Sequence, residues 1–91
     1  MIRDLAELAR VTGGTLRGAN AAFGAVVSDS RALGAGALFV ALRGERFDGH
    51  QFVPEAQQKG AAGAVVERQV TSPLPQVIVR DSLAGLSGFA A

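Results

Sequence analysis

The stretch Ala37-Leu-Phe-Val-Ala-Leu42 is a continuous apolar run near the middle of the chain. A strand buried on both faces has this composition, because helices cover a parallel sheet on each side. Residues 51–59 carry apolar side chains at helical spacing and Gly60 follows them, which predicts a helix that ends at a glycine. Ala64-Val-Val66 predicts the next strand. The segment from 37 to 67 is therefore expected to be a βαβ unit with two parallel strands.

Shorter elements are predicted on the N-terminal side of this unit. Apolar residues at helical spacing predict an amphipathic helix over residues 3–12, which Gly13-Gly14 ends. Residues 15–17 and 23–28 are predicted to be short strands. Residues 29–36 are predicted to be a loop, and the glycines in it permit positive φ angles.

The C-terminal part of the sequence predicts one more strand, Val77-Ile-Val79, and leaves its pairing direction open. The connection before it is too short for a helix, so the strand pairs antiparallel beside residues 64–67 or reaches a parallel position through an extended connection. Asp81 or Ser82 can cap a final helix over residues 82–91. Because apolar residues fill the last turn of that helix, we expect the chain to be one domain of a longer protein. The predicted fold class is α/β: a small mixed sheet that contains a βαβ unit and is flanked by helices.

The composition favours a small soluble domain. At 91 residues the chain fits one domain, and its apolar fraction of 48% supplies an aliphatic core. The net charge of +1 lacks the basic excess of a general nucleic-acid-binding protein. The absence of cysteine excludes disulfides and thiolate-bound metals. No apolar run approaches the ~18 residues of a membrane span, and the N-terminus does not resemble a signal peptide, so we expect a cytoplasmic domain without membrane partners.

Several kinds of catalytic site are missing from the sequence. It contains neither a G-x-x-x-x-G-K-[ST] phosphate loop nor a G-x-G-x-x-G turn after a strand, which argues against ATP binding by these residues. His50 is the only histidine, so a catalytic zinc site is not expected, and we interpret His50 as a loop residue that bonds backbone or caps the following helix. A Ser-His-Asp triad lacks a nucleophile-elbow pattern. We therefore predict no catalytic residue and no metal ligand.

Two polar loops flank the apolar strand and carry the candidate binding residues. The first is Ser28-Asp-Ser-Arg31, and the second, Arg43 to His50, follows the carboxyl end of the strand, where open α/β sheets bind ligands. Guanidinium groups match phosphate geometry, short hydroxyls can bond a ligand, and Phe47 offers a flat face for a base. This set of side chains suits a nucleotide with a diphosphate.

A structural interpretation of the same loops stays open. Ser28 and Asp29 end a strand, where such residues often satisfy backbone groups. The arginines can be solvated or paired with neighbouring carboxylates, and Phe47 can be a core residue. The strand also lies between the two loops in sequence, so they need not reach the same edge of the sheet.

Four segments together resemble the N-terminal domain of the Mur ligases, which make the peptidoglycan precursor in the bacterial cytoplasm. They are Asp29-Ser-Arg31, Gly36-Ala-Leu-Phe-Val-Ala-Leu-Arg-Gly44, Phe47-Asp-Gly-His50 and the segment from Ala56 to Val66 that includes Gly60-Ala-Ala-Gly. The similarity covers nearly the whole chain. Within the family, the stretches 44–50 and 74–82 look most like the ligase that adds D-alanyl-D-alanine to UDP-N-acetylmuramoyl-tripeptide. The ligase that adds the third peptide residue is the alternative.

The resemblance implies a three-domain, ATP-dependent amide ligase whose reaction passes through an acyl phosphate. It implies that residues 1–91 hold the UDP end of the substrate, and that ATP and magnesium bind in a central domain absent from this sequence. The fragment alone is then expected to be inactive and to contact its own central and C-terminal domains. The family positions that contact UDP correspond here to Ser28, Ser30, Arg31, Glu45, Arg46 and Phe47. Arg31 could equally hold its loop together through a carboxylate.

Overall fold

The computed structural model describes residues 2–41 and 48–80. Two α-helices, five strands and two short 3-10 helices make up this part of the chain. In chain order the elements are α1 (Leu5–Thr12), β1 (Thr15–Arg17), β2 (Val26–Val27), a 3-10 helix (Ser30–Ala32), β3 (Leu38–Val40), a second 3-10 helix (Gly49–Phe52), α2 (Val53–Gln58), β4 (Gly63–Val66) and β5 (Gln76–Ile78). The helix predicted over 82–91 and the end of the apolar run at Leu42 lie outside the described residues.

The strands form one mixed sheet in the order β1-β5-β4-β3-β2. Strands β2, β3, β4 and β5 run parallel, and β1 is antiparallel to β5. The fold class and the parallel pair β3–β4 of the predicted βαβ unit are confirmed. Over the described ranges, no helix is long and apolar enough to cross a membrane.

Strand β3 is buried on both faces, as its composition predicts. Leu38 and Val40 pack toward α1, in a cluster with Leu5, Leu8, Val65 and Val77. Phe39 and Ala41 pack on the opposite face toward α2, in a cluster with Val53, Ala56, Ala64 and Val66. Helix α1 therefore covers one side of the sheet and α2 the other.

Gln76 explains how β5 reaches a parallel position without a preceding helix. Its side chain is buried, and its Oε1 accepts a hydrogen bond from the Val70 N–H at 2.7 Å. Its Nε2 donates to the carbonyl oxygens of Val70 at 2.7 Å and Leu74 at 3.4 Å. One amide side chain thus holds the extended connection between β4 and β5 through hydrogen bonds that a strand partner would otherwise supply.

The predicted strand over 23–28 is shorter in the structure, which has only Val26 and Val27 in β2. The preceding backbone pairs elsewhere: the Phe23 N–H donates to Arg3 at 3.1 Å, and the Gly24 N–H donates to Gly36 at 2.9 Å. The apolar pattern of this stretch could not reveal that its hydrogen bonds go to the N-terminus and to the loop before β3.

Two glycines allow close approaches between layers. A Cβ atom on Gly14 would lie 2.6 Å from the Ile78 carbonyl oxygen, and one on Gly63 would lie 2.8 and 2.9 Å from the two methyl carbons of Leu5. The first contact is with backbone of the sheet, which cannot move aside as a side chain can. Strand β5 therefore requires a residue without a side chain at position 14.

We predict that Gly14→Ala destabilises the domain by about 1–3 kcal/mol, because the added methyl group overlaps the β5 backbone. Urea denaturation of the chain measures the effect. Gly34→Ala is the matched control, since Gly34 has a negative φ angle and a Cβ atom added there would meet nothing within 4 Å. Equal stability of the two variants would contradict the close packing of residue 14 on β5.

Candidate functional site

Strands β2 and β3 end at the same edge of the sheet. Val26 and Val27 pair in parallel with Leu38 and Phe39, so Ser28 follows β2 on the side where Ala41 follows β3. The sequence leaves this point open, and the parallel pairing resolves it. In open α/β sheets this carboxyl edge is where ligands bind.

A pocket of about 460 Å³ lies beside the first of these loops. Its described lining residues come from the loop after β2 and from the start of α2. They are Ser28, Asp29, Ser30, Arg31, Phe52 and Glu55. Three predicted site residues, Ser28, Ser30 and Arg31, therefore share one pocket. The other three, Glu45, Arg46 and Phe47, lie outside the described residues.

The Asp29 carboxylate organises the loop after β2. Its Oδ1 accepts a hydrogen bond from the Arg31 N–H at 2.9 Å and so caps the 3-10 helix that begins at Ser30. The Arg31 guanidinium donates through Nε to Oδ1 at 3.1 Å and through NH2 to Oδ2 at 3.0 Å. These hydrogen bonds lower the pKa of Asp29 and raise the pKa of Arg31 from their ordinary values. Arg31 thus holds its own loop together, one of the two roles that the sequence allowed.

The wall formed by α2 contributes two side chains that sequence reasoning did not assign to the site. Phe52 is half-buried at the start of α2, and Glu55 lies in its first turn. Helical spacing assigns Phe52 to the apolar face of the helix, and spacing alone does not distinguish core from pocket. Among the described residues, the lining contains two carboxylates, and Arg31 is already paired with one of them. This part of the site suits an uncharged, hydrogen-bonding group of a ligand better than a diphosphate.

His50 has a structural position. It is buried, its Nε2 accepts a hydrogen bond from the Glu67 N–H at 2.9 Å, and its Nδ1 lies 2.7 Å from Asp48 Oδ1. Because Nε2 accepts, the hydrogen-bond network assigns the ring proton to Nδ1, which donates to Asp48. The ring therefore joins the start of the second 3-10 helix to the end of β4. Over residues 2–41 and 48–80, no group of three or more His, Cys, Asp or Glu could hold a metal ion.

Asp48 connects this histidine to an exposed arginine. Its carboxylate accepts from Arg68 NH2 at 3.0 Å, from the His50 N–H at 3.0 Å and from the His50 ring. Arg68 contributes most, and together these bonds hold the pKa of Asp48 well below its usual range. Asp48, which caps the second 3-10 helix, is thereby bonded through both of its carboxylate oxygens to that helix and to the segment that follows β4.

We predict that Asp48→Asn removes a stabilisation that depends on pH. Since the folded-state pKa of Asp48 lies below the unfolded value of about 3.9, its contribution is complete above the unfolded pKa and declines as the pH falls through it toward the folded pKa. The stability difference between the chain and the variant should be constant above about pH 5 and should shrink below about pH 4. Urea denaturation across this range measures it.

Arg68→Met provides the companion variant, because it removes the largest influence on the Asp48 carboxylate. The pKa of Asp48, followed by carboxyl carbon NMR, should rise in this variant. If the stability difference between the chain and Asp48→Asn stays the same from about pH 6 to about pH 3, the lowered folded-state pKa of Asp48 is contradicted.

The chain is similar in sequence and fold to proteins of one family. The model of the Mur ligase family, catalytic domain, matches residues 23–82. The UDP-N-acetylmuramoyl-tripeptide–D-alanyl-D-alanine ligase of Escherichia coli K12 is 42% identical over 87 residues, which are 96% of this chain and 19% of that protein. The UDP-N-acetylmuramoyl-L-alanyl-D-glutamate–2,6-diaminopimelate ligase of Aquifex aeolicus is 44% identical over 65 residues, which are 71% of this chain and 14% of that protein.

A crystal structure of MurF from Acinetobacter baumannii superimposes with a TM-score of 0.78 at 31% identity, over 89% of this chain and 18% of that one. The chain thus spans at most about a fifth of the length of the relatives it matches. The family model covers most of the chain, including β2, the Asp-Ser-Arg loop, β3, α2, β4 and β5, and the fold agrees with it. With sequence and architecture in accord, the chain belongs to the Mur ligase family.

Proposed function

We propose that this chain is the N-terminal domain of a cytoplasmic, ATP-dependent ligase that adds D-alanyl-D-alanine to UDP-N-acetylmuramoyl-tripeptide in peptidoglycan precursor synthesis. Its task is to hold the UDP end of that substrate. The observation that carries the proposal is the pocket at the carboxyl edge of the sheet, which gathers Ser28, Ser30 and Arg31. The sequence similarity to the Escherichia coli ligase over 96% of the chain supports the choice of substrate.

The described side chains have distinct proposed roles. Ser28 is exposed and Ser30 is buried beside the pocket, and their hydroxyls can donate to or accept from the uridine group. Arg31 keeps the loop in shape through Asp29, and it contributes to the ligand only through the outer part of its guanidinium. Phe52 offers an apolar surface for the base. The nucleoside end of the substrate is therefore proposed to lie against the described pocket.

Glu45, Arg46 and Phe47 are proposed as UDP-binding residues on sequence grounds. They follow Ala41 and precede Asp48, and Ala41 leaves the sheet at the edge that holds the pocket. A guanidinium in this segment would supply the positive charge that a diphosphate needs, since Arg31 is already paired.

The proposed contribution of this domain to catalysis is anchoring. Binding energy from the UDP group, remote from the reacting carboxylate, can position that carboxylate for the chemical step. ATP and magnesium would supply carboxylate activation when bound to the central domain of the full-length ligase. The domain alone is proposed to be inactive.

Two alternatives have different consequences. The similarity to the Aquifex aeolicus ligase favours, as a second candidate, the same domain in the enzyme that adds the third peptide residue. Both candidates bind a UDP-muramoyl-peptide and differ in the peptide they extend. An interaction module without a ligand of its own would show no saturable response to either substrate.

We predict that UDP-N-acetylmuramoyl-tripeptide shifts the amide resonances of residues 28–31 and of the segment 43–50 in a saturable manner. Binding should be weak, because the other domains, which are proposed to contact the sugar and the peptide, are absent. Amide NMR titration of the chain measures the affinity. Adenosine diphosphate is the control ligand and should produce no saturable shifts at the same positions. Absence of shifts with the tripeptide substrate at millimolar concentration would contradict the proposed function.

We further predict that Arg46→Ala raises the KM for the UDP substrate by about tenfold or more in the full-length ligase, because a diphosphate loses a charged partner. The KM for ATP should change much less. Steady-state kinetics measure both constants, and Arg10→Ala, an exposed arginine on α1, is the control. An unchanged KM for the UDP substrate would remove Arg46 from the site.

A further inference from the structure

Lys59, the single lysine of the chain, lies at the end of α2 and reaches two residues that line the pocket. Its Nζ donates to the Ser30 carbonyl oxygen at 2.7 Å and lies 3.7 Å from Glu55 Oε1. Ser30 belongs to the loop after β2, and Glu55 belongs to α2. One ammonium group therefore contacts pocket residues from both elements that form the lining.

The bond to Ser30 is the stronger of two at that carbonyl. The Leu33 N–H, which closes the 3-10 helix, also donates to it but at 3.4 Å. A charged donor at 2.7 Å is worth about twice a neutral one, so Lys59 has the larger share in fixing this carbonyl. Lys59 thus adds a bond from α2 to a turn that Asp29 and Arg31 hold locally.

Backbone hydrogen bonds also connect the loop before β3 with the segment that follows α2. The Gly36 N–H donates to Gly60 at 2.9 Å, and the Ala62 N–H donates to Ala37 at 2.7 Å. Both bonds lie at the end of the loop next to β3, several residues from the 3-10 helix at Ser30–Ala32. Between that turn and α2, Leu33 packs against the cluster that contains Val53 and Ala56, and Lys59 adds a charged hydrogen bond to the Ser30 carbonyl oxygen.

The charge of Lys59 also suits the pocket. Asp29 and Glu55 contribute two carboxylates to the lining, and these would repel an anionic ligand. The ammonium lies beside Glu55 and lowers the pKa of Asp29 as a minor contribution after Arg31. The Lys59 ammonium therefore offsets negative charge beside the proposed nucleotide pocket.

We infer that Lys59 is a positioning residue for the nucleotide: it ties the Ser30 carbonyl oxygen to the end of α2 and reduces the repulsion from the pocket carboxylates. The inference rests on the proposed function. Lys59 acts through Ser30 and Glu55, and it is not among the residues that line the pocket. A positioning role predicts a change in ligand affinity that exceeds any change in stability.

The test compares Lys59→Met, Lys59→Arg and Arg10→Met in the chain, with UDP as the probe and amide NMR as the readout. Lys59→Met keeps the side-chain length without a donor and should raise the Kd for UDP about three- to tenfold. Lys59→Arg keeps a charged donor and should restore the Kd to within about twofold of the original. Arg10→Met removes one exposed positive charge from α1 and should leave the Kd unchanged.

Two further measurements separate positioning from general structure. In the ligand-free Lys59→Met chain, the amide resonances of Arg31 and Leu33 should shift, while the free energy of unfolding should fall by less than the free energy of UDP binding does. If the unmodified chain binds UDP and Lys59→Met binds it equally well, the inference is overturned and the proposed function stands. If neither UDP nor the tripeptide substrate binds the unmodified chain, the proposed function and the inference fall together.

Discussion

The parallel pairing of β2 with β3 determines the edge of the sheet at which Ser28 and Ala41 leave their strands. Strand β2 contains only two residues, yet its register places Ser28 at the same edge of the sheet as Ala41. An antiparallel pairing would have sent the Asp-Ser-Arg loop and the loop after β3 to opposite edges. Strand β3 is an interior strand: its backbone bonds β2 on one side and β4 on the other, and its side chains are buried on both faces of the sheet.

The described charges near this edge are arranged in local pairs. Asp29 pairs with Arg31, Asp48 pairs with Arg68, and Glu55 lies near Lys59. Exposed pairs such as Asp29–Arg31 add little to stability, typically about 0–1 kcal/mol, so their main consequence is the shape of the loops. They also leave the described pocket without a surplus of positive charge. A diphosphate would therefore depend on groups outside the described lining, which is why the segment 43–47 matters to the proposed function.

The sequence predicted the parts of the fold that depend on local pattern. The apolar run of β3, the helix before Gly60 and the strand at 64–66 follow from composition and spacing, and the structure confirms them. The direction of β5 could not be predicted, because it depends on the contacts of Gln76 with Val70 and Leu74 in the preceding connection. For the site, sequence patterns indicated Ser28 and Ser30 but missed Phe52, Glu55 and Lys59. Those three lie in α2 or directly next to its ends. Helical spacing shows only which face of α2 is apolar, and it does not show that these residues approach a loop about 25 positions earlier.

The same distinction bears on what the family motifs mean. In the Phe-Asp-Gly-His segment, Asp48 caps a 3-10 helix and His50 joins that helix to the end of β4, so both side chains are used within the fold. In the Asp-Ser-Arg segment, Asp29 and Arg31 are largely used on each other, and Ser30 retains a place in the pocket. A match to these motifs is therefore strong evidence for the architecture, because most of the matched side chains maintain it. Evidence for the ligand comes from the smaller set of side chains that the loops leave facing the pocket. Binding experiments on variants of those side chains, and of Lys59, therefore test which ligand the pocket holds.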